Sequence, residues 1–307
     1  PAPKPQDLPG LLPLRAVEKA KETDAELVLA SDPDADRVGA AVKNNEGEWV
    51  LLNGNQTALM FVYYLITRWK ELGKINGKEY IVKTIVTTEL IRTIAEKNGV
   101  EVYDVYTGFK WIADVMKKNE GKKNYIGGGE ESYGFLCEDF VRDKDAVSAC
   151  AILAEIAAWA KDQGITMYQL LQNIYVQYGF SKEKGISVVK KGKSGAEEIE
   201  AMMKHFRENP LQEIAGSKVT LFYDYASLKG KDYVENETLT LDMPTTSNVL
   251  QYFTEDGTKV SIRPSGTEPK IKFYCEVHSK VKSLDELPAA EKAGAEKIEA
   301  IKASLGI

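Results

Sequence analysis

The sequence predicts an α/β protein in three parts: the tail of a doubly wound domain, one complete α/β domain, and an α+β domain with an antiparallel sheet. Two observations predict this order. Between about residues 53 and 178, strand-like and helical stretches alternate, as they do around a mainly parallel sheet. After Gly179-Phe180, most strand-like stretches follow one another through turns, which favours an antiparallel sheet flanked by helices.

The composition excludes several classes of function. The 307 residues are 43% hydrophobic, enough to bury sizeable cores, and their formal net charge is -6. A general nucleic-acid binder would carry a basic excess instead, so nucleic acid is not an expected partner. No apolar run approaches the roughly 18 residues of a membrane helix, so no membrane partner is expected either. Three scattered cysteines without metal-binding spacing favour a reducing compartment, and we expect a cytoplasmic protein.

Residues 1–48 are predicted to be the C-terminal part of a larger α/β domain, because the segment is too short to be a domain by itself. Leu14–Lys21 has the apolar spacing of a helix, and Leu27–Ala30 is an apolar run typical of a buried strand. Turn residues between Val38–Lys43 and Trp49–Leu52 indicate a hairpin.

The two further parts are residues 49–178 and residues 179–307. In the α/β part the predicted elements are helix 57–70 (capped by Asn53 or Asn55), strand 80–86, helix 88–98, strand 100–106, helix 110–118, strand 125–126, and helices 146–161 and 167–178. In the α+β part they are strand 186–190, helix 195–209, strands 219–225, 238–241, 249–253, 259–262 and 271–277, and helix 285–304.

An acidic loop directly follows the strand at 27–30. It places Asp32, Asp34 and Asp36 at alternate positions, where their carboxylates would repel one another in a small volume of low dielectric. A hard divalent cation with oxygen ligands relieves that repulsion, and Mg²⁺ suits a compact site. Arg37 adds a guanidinium group, and a metal beside a fixed cation suits phosphoryl transfer. Asp-Pro-Asp is also good turn chemistry, so a solvated turn is the alternative.

A glycine-rich loop, Gly127–Gly134, follows the short strand at 125–126. It therefore lies at the carboxyl end of a strand, where open α/β sheets bind ligands, and its glycines allow a close approach. Glu130 and Ser132 are two residues apart, so in an extended segment they would point to the same side. A carboxylate and a hydroxyl on one side could hold adjacent hydroxyls of a sugar. A flexible surface loop is the alternative.

A third stretch, Arg-Pro-Ser-Gly-Thr-Glu-Pro, begins at Arg263. The guanidinium of Arg263, the hydroxyls of Ser265 and Thr267, and a backbone amide freed by Gly266 together predict a phosphate cradle. Lys272, on the strand that follows, offers a further cation. The alternative is a plain β-turn.

Two smaller clusters support these loops. Thr107–Lys110 lies between a predicted strand and a helix, where its hydroxyl and ammonium groups could meet a substrate. It could equally be an N-cap with the first residues of a helix. Arg142–Asp145 also precedes a predicted helix, and taken alone it would be read as a solvated turn.

Together these stretches resemble the α-D-phosphohexomutase family of phosphoglucomutases and phosphomannomutases. Asp32–Arg37 is similar to the family's metal loop, Gly129–Gly134 to its sugar loop, and Arg263–Thr267 to its phosphate loop, in the family's order along essentially the whole chain. The resemblance implies a reversible phosphoryl transfer between C1 and C6 of a hexose phosphate. Glucose phosphates or their mannose equivalents would be the substrates, and the reaction would pass through a bisphosphate and an enzyme phosphoserine.

The resemblance also implies roles for individual residues. Asp32, Asp34 and Asp36 would bind Mg²⁺. Arg37 would contact the reacting phosphoryl group, and Lys144 would lie near the substrate as a proton-transfer group. The substrate-binding residues implied by the resemblance are Thr107, Gly108, Glu130, Ser132, Arg263, Ser265, Gly266, Thr267 and Lys272.

One departure from the family pattern is large. The family's nucleophile lies in a Thr-Ala-Ser-His-Asn-Pro-type loop in the first of four domains, and this sequence contains no Ser-His-Asn. We therefore expect a C-terminal fragment that comprises the tail of domain two with domains three and four, and that is inactive alone. A phosphopentomutase, an amino-sugar phosphate mutase, or a non-catalytic sugar-phosphate-binding module are the alternatives.

Overall fold

The computed structural model describes residues 8–190, 192–266 and 268–307, and the chain divides into two compact units that meet between Tyr178 and Gly179. The helices of the first unit are α1 (Leu8–Glu22), α2 (Gly54–Glu71), α3 (Leu90–Lys97), α4 (Phe109–Asn119), α5 (Ala146–Asp162) and α6 (Met167–Tyr178). Its strands are β1 (Leu27–Ser31), β2 (Val38–Lys43), β3 (Trp49–Leu52), β4 (Glu79–Thr84), β5 (Glu101–Val105), β6 (Asn124–Gly129) and β7 (Phe135–Cys137).

The second unit consists mainly of strands. Its helices are α7 (Gly192–Glu208) and α8 (Leu287–Leu305), the latter preceded by a short 3-10 helix (Leu284–Glu286). Its strands are β8 (Phe180–Val189), β9 (Glu213–Ile214), β10 (Ser217–Asp224), β11 (Lys229–Asp232), β12 (Glu237–Thr240), β13 (Leu250–Thr254), β14 (Lys259–Pro264) and β15 (Lys270–Ser279). Among the described residues, none of the helices has the length and apolarity that a membrane crossing requires.

The first three strands form an antiparallel sheet in the order β1-β2-β3. The acidic loop is the connection between β1 and β2, so both of its ends are fixed by the same pair of strands, with Ser31 opposite Val38. Helix α1 packs on this sheet through a small apolar cluster that includes Ala20, Val28 and Ala41. Strand β3 pairs with β2, although the expected domain boundary between residues 48 and 49 separates them.

The second sheet has the order β5-β4-β6-β7, in which the first three strands are parallel and β7 is antiparallel to β6. This mainly parallel sheet with flanking helices confirms the predicted fold class. The carboxyl ends of β5 and β6 lie at one edge, so the loops that follow Val105 and Gly129 emerge together. Strand β7 was not predicted, because three residues after a glycine-rich stretch carry no readable periodicity.

Helix α2 covers this sheet; it begins at Gly54, earlier than the predicted residue 57, and its cap is Asn53, one of the two expected. The side chain of Asn53 accepts a hydrogen bond from the Gln56 amide, and the Gln56 side chain accepts one from the Asn53 amide, at 2.8 and 3.0 Å. This reciprocal pair satisfies two amides that a helix start leaves unpaired. On the buried face of α2, the Phe61 ring stacks on the ring of Phe135, with centroids 4.4 Å apart.

The second unit is built on one antiparallel sheet in the order β12-β11-β10-β13-β14-β15-β8. Helices α7 and α8 bury Met203 and Ile301 in the same core as Phe273 of β15. Each such side chain stabilises the fold by roughly 1.5–3 kcal/mol when fully buried. The antiparallel α+β architecture expected for this part of the chain is confirmed, although β11, whose sequence is Lys-Gly-Lys-Asp, was not predicted.

A buried polar cluster lies in this sheet, where β14, β15 and β8 are neighbours. The Glu276 carboxylate is 3.0 Å from the Lys259 ammonium and 2.9 Å from His278 Nε2, and it accepts a hydrogen bond from the Ser181 hydroxyl at 3.2 Å. Burial alone would lower the pKa of His278, but the Glu276 carboxylate outweighs burial and raises it; Lys259 lowers it and Glu183 raises it further. The folded chain therefore binds a proton at His278 more tightly than the unfolded chain does.

This proton linkage predicts a pH dependence of stability. A raised pKa contributes stability that is fully present below the unfolded value of about 6.5 and is lost as the pH rises through the folded value. We expect the free energy of unfolding, measured by urea denaturation, to fall as the pH rises above the unfolded value of about 6.5, and His278→Gln to flatten that fall. His205→Gln, which changes an exposed histidine at the end of α7, is the control and should keep it. An unchanged slope in His278→Gln would show that this pair does not act as described.

Candidate functional site

The acidic loop is shaped by the first of its aspartates. Asp32 is only 5% exposed, and its Oδ1 accepts hydrogen bonds from the amides of Asp36 and Arg37, both at 3.1 Å. The Asp32 amide in turn donates to the Arg37 carbonyl at 3.2 Å, and Ala35 has a left-handed φ of 55°. Asp32 therefore folds the loop, a role typical of a short carboxylate that binds backbone amides nearby.

The third aspartate of the loop forms an ion pair. Asp36 Oδ2 lies 2.7 Å from the Lys144 ammonium. Its other oxygen, Oδ1, is buried and has no hydrogen-bond partner among the residues that the structure describes, and the same holds for Arg37 Nε, which lies 3.8 Å away. Burial would raise the pKa of Asp36, but hydrogen bonding and charge from Lys144 outweigh it, and the net effect lowers the pKa. Asp36 is therefore held ionised beside two cations.

The three carboxylates of the acidic loop are not arranged as a preformed set of metal ligands. Within the described residues, no three His, Cys, Asp or Glu side chains are grouped so as to hold a metal ion. One oxygen of Asp32 is used by amides, one oxygen of Asp36 by Lys144, and Asp34 is exposed. The donor chemistry nevertheless fits Mg²⁺, because all donors are hard oxygens and Asp36 Oδ1 lacks the partner that a cation would supply. Magnesium binding stays a prediction.

The glycine-rich loop is a tight turn between β6 and β7. The Glu130 amide donates to the Gly134 carbonyl at 2.8 Å, and Tyr133 has a φ of 72°. The expectation that Glu130 and Ser132 share an extended segment is therefore wrong. The physical reason is the pairing of Gly129 with Phe135, which forces the intervening residues to reverse direction.

Glu130 connects this turn to the loop that follows β5. It is buried, and its Oε1 accepts a hydrogen bond from the Gly108 amide at 2.7 Å. Gly108 precedes α4 with a φ of 117°, a backbone conformation that glycine adopts without strain. Thr107 lies beside it, half-buried. Gly108 and Glu130, which were predicted separately as substrate-binding residues, are thus in direct contact.

Lys144 lies where three segments meet. A Cβ atom on Gly134 would come within 2.3 Å of Lys144 Cδ, so the lysine stem covers that glycine. Its ammonium is 5.6 Å from the centre of the Phe109 ring, and the side chain is 13% exposed. Burial would lower the pKa of Lys144, but Asp36 and then Asp143 outweigh it, so the pKa is raised and the ammonium form is favoured.

Backbone hydrogen bonds join the same segments. The Val38 amide donates to the Tyr133 carbonyl at 3.1 Å, and the Ala146 amide at the start of α5 donates to the Ala35 carbonyl at 3.0 Å. Asp145 caps α5 by accepting from the amides of Val147 and Ser148 at 3.2 and 2.9 Å. The acidic loop, the turn of the glycine-rich loop (residues 130–134) and the start of α5 are therefore held together by main-chain contacts as well as by charge.

Sequence reasoning missed several residues that support the site. The Thr84 hydroxyl at the end of β4 donates to Glu131 Oε2 at 3.3 Å. Lys83 is almost fully buried, with its ammonium 2.9 Å from Glu89 and 3.0 Å from Asp104. None of these contacts is between sequence neighbours, so no local pattern could have indicated them.

The predicted phosphate cradle lies in the second unit, on the hairpin between β14 and β15. Arg263 and Lys272 are directly opposite each other in the antiparallel register, so their side chains leave the same face of the sheet. The Ser265 amide donates to the Lys270 carbonyl at 2.8 Å, which closes the turn around the exposed Gly266. Thr267 lies outside the described residues.

Two family models match the two units. Residues 53–178 match the phosphoglucomutase/phosphomannomutase alpha/beta/alpha domain III, and residues 188–303 match the phosphoglucomutase/phosphomannomutase C-terminal domain. The chain belongs to the phosphoglucomutase/phosphomannomutase family. The family expected from the sequence is thereby confirmed.

Individual relatives agree with this assignment. A phosphoglucomutase of Staphylococcus aureus (strain MRSA252) is 38% identical over 260 residues, which are 85% of this chain and 46% of the relative. A phosphoglucomutase of Staphylococcus saprophyticus is 34% identical over 270 residues, or 87% of this chain and 48% of the relative. The chain thus spans about half the length of these curated relatives.

Solved structures share the fold at lower identity. A phosphoglucomutase/phosphomannomutase family protein from Burkholderia thailandensis has a TM-score of 0.58 at 18% identity, covering 98% of this chain and 50% of the other. The phosphoprotein pp63/parafusin, a phosphoglucomutase from Paramecium, has a TM-score of 0.56 at 19% identity, covering 90% of this chain and 45% of the other.

Gly54 packs closely against the backbone of the glycine-rich turn at residues 130–134, and this contact can be tested by substitution. A Cβ atom at Gly54 would lie 2.0 Å from the Glu131 carbonyl oxygen and 2.8 Å from the Tyr133 amide. We expect Gly54→Ala to lower the free energy of unfolding by about 1–3 kcal/mol, since neighbouring backbone must move. Gly39→Ala is the matched control, because its nearest contact would be at 3.9 Å and its cost should stay within about 0.5 kcal/mol. Equal urea midpoints for the two variants would contradict the contact.

Proposed function

We propose that this chain forms the sugar- and phosphate-binding part of a phosphosugar mutase, which moves a phosphoryl group between C1 and C6 of a hexose phosphate. The observation that carries the proposal is the joining of three segments in the first unit. The acidic loop, the Gly108–Glu130 contact and Lys144 are connected by hydrogen bonds and an ion pair. The family and the phosphoglucomutase relatives support the same reaction class.

Each segment has a distinct task in this proposal. Asp32, Asp34 and Asp36 would hold Mg²⁺, which would neutralise charge on the reacting phosphoryl group. The Arg37 guanidinium, whose Nε lacks a hydrogen-bond partner, would contact phosphoryl oxygens. Lys144 would hold or deliver a proton at a sugar oxygen, since its raised pKa keeps it charged until a substrate alters its surroundings.

The sugar and the second phosphate need different contacts. Glu130 uses one oxygen to bind the Gly108 amide, and its other oxygen would accept a hydrogen bond from a sugar hydroxyl. Ser132, on the same turn, would contribute a hydroxyl. In the second unit, Arg263 and Lys272 would bind the phosphate that does not react, together with Ser265, Gly266 and Thr267.

The nucleophile of the proposed reaction is a phosphoserine, and no residue of this sequence matches the family's Ser-His-Asn motif. We therefore expect the 307-residue chain alone to give no sustained conversion of glucose 1-phosphate to glucose 6-phosphate. The measurement is a coupled dehydrogenase assay with Mg²⁺ and a glucose bisphosphate present, and a full-length family member as the positive control. Sustained turnover by this chain would contradict the expectation.

Binding can be tested without turnover. We expect glucose 6-phosphate to bind the chain in calorimetry, and Glu130→Gln to weaken binding about tenfold, because a charged hydrogen bond to a hydroxyl is lost. Glutamine keeps an acceptor for the Gly108 amide, so the turn should survive. Glu101→Gln is the matched control, since Glu101 lies at the amino end of β5, at the opposite edge of the sheet.

The outcome separates the candidate substrates as well. If the Glu130→Gln chain and the unchanged chain bound glucose 6-phosphate with equal affinity, the proposed contact between Glu130 and a sugar hydroxyl would be contradicted. Mannose 6-phosphate, N-acetylglucosamine 6-phosphate and ribose 5-phosphate titrated in the same way rank the sugars that the site accepts. Binding of inorganic phosphate as strong as that of every sugar phosphate would argue that only the phosphate cradle is functional.

A further inference from the structure

We propose that Lys144 is the internal counter-ion of the acidic loop, and that a divalent cation binds there only by displacing the Lys144 ammonium from Asp36. The inference rests on the proposed function, because it takes Asp32, Asp34 and Asp36 as metal ligands. It adds a coupling that the proposed function does not contain: metal binding releases Lys144 from Asp36.

The geometry places one cation where another would bind. The Lys144 ammonium is 2.7 Å from Asp36 Oδ2, and both side chains are largely enclosed, 13% and 26% exposed. Among the described residues, the buried Asp36 Oδ1 has no hydrogen-bond partner, so the lysine satisfies only half of the carboxylate. In the same part of the chain Arg37 Nε also has no partner, and at 3.8 Å it lies too far from that oxygen to donate to it.

Charge balance favours exchange over coexistence. The loop carries three aspartates and Arg37, and the Lys144 ammonium bridges Asp36 of the loop and Asp143 outside it. With a divalent cation bound and Lys144 still on Asp36, two cations would share one carboxylate. Such like charges repel strongly in a partly buried site. With Lys144 displaced, the divalent cation and Arg37 together balance the three carboxylates.

The structure allows the ammonium to leave without moving the backbone. The main chain around Lys144 is fixed, since the Asp145 amide donates to the Phe135 carbonyl at 3.2 Å and Asp145 caps α5. The stem of Lys144 lies along Gly134, while its ammonium also has Asp143 Oδ1 at 3.3 Å. Rotation about the last side-chain bonds of Lys144 therefore releases the ammonium from Asp36, while the aliphatic part of the side chain stays against Gly134.

The consequence concerns the order of events at the site. Until a metal binds, the lysine that the proposed function uses for proton transfer is held by Asp36. After the metal binds, the same ammonium is released from Asp36 and stays near Asp143, beside the turn that would hold the sugar. Metal binding at the acidic loop thereby changes the position of the Lys144 ammonium beside the turn that would hold the sugar.

The first test is metal affinity. Mg²⁺ and, separately, Mn²⁺ are titrated calorimetrically into the unchanged 307-residue chain, into Lys144→Met and into Lys161→Met. Methionine keeps an unbranched stem to cover Gly134 and removes only the competing charge. Lys161→Met is the matched control, because Lys161 lies near the other end of α5 and pairs with the exposed Glu26 at 2.9 Å. We expect Lys144→Met to bind metal about tenfold more tightly, and Lys161→Met to change affinity by less than about twofold.

The second test uses the unchanged protein. Lysine acetylation by a water-soluble reagent is quantified residue by residue by mass spectrometry, with and without Mg²⁺. We expect modification of Lys144 to rise several-fold when metal is added, while modification of Lys161 stays constant. Lower modification of Lys144 with metal present would overturn the proposal even if Lys144→Met proved unstable.

The outcomes separate the two levels of inference. Equal or weaker metal binding by Lys144→Met overturns the exchange and leaves the metal site of the proposed function intact. Absence of metal binding to both the unchanged chain and Lys144→Met overturns the exchange together with the metal site.

Discussion

The ion pair between Lys144 and Asp36 joins the segments on which the candidate site depends. Its two residues lie far apart in sequence, one after β1 and the other just before α5. Removing two charges from water is costly, and such a pair stabilises a fold only where geometry and further contacts compensate. Here main-chain bonds from Val38 and Ala146 fix the same segments, so the charges meet without having to order a free loop. The pair therefore orients functional groups more than it stabilises the protein.

The parallel sheet supplies the other constraint. Because β5 and β6 run in the same direction, the residues after them emerge at one edge, and the Gly108 amide meets the Glu130 carboxylate there. A carboxylate that accepts a hydrogen bond from a main-chain amide has already lost part of its conformational freedom before a ligand binds. In the proposed mutase that loss of freedom is useful, because a sugar hydroxyl would meet an acceptor already in place.

Local sequence patterns were sufficient to predict most of the fold and to locate the loops between its strands and helices. Alternating elements predicted the parallel sheet, and Asn53 was correctly among the expected helix caps. The conformation of residues 130–133 was predicted wrongly, since it depends on β7, a strand too short to be recognised. The Lys144–Asp36 contact was not foreseen either, although both residues were singled out. Pairing between distant residues follows from tertiary packing, which local periodicity does not encode.

The candidate binding groups of the two units differ in kind. The turn at Glu130 is rigid, with its acceptor fixed by the Gly108 amide, and it would select for hydroxyl positions. The hairpin at Arg263 and Lys272 offers cations from one face of a sheet around an exposed Gly266. Cations attract phosphate without demanding one sugar geometry around it.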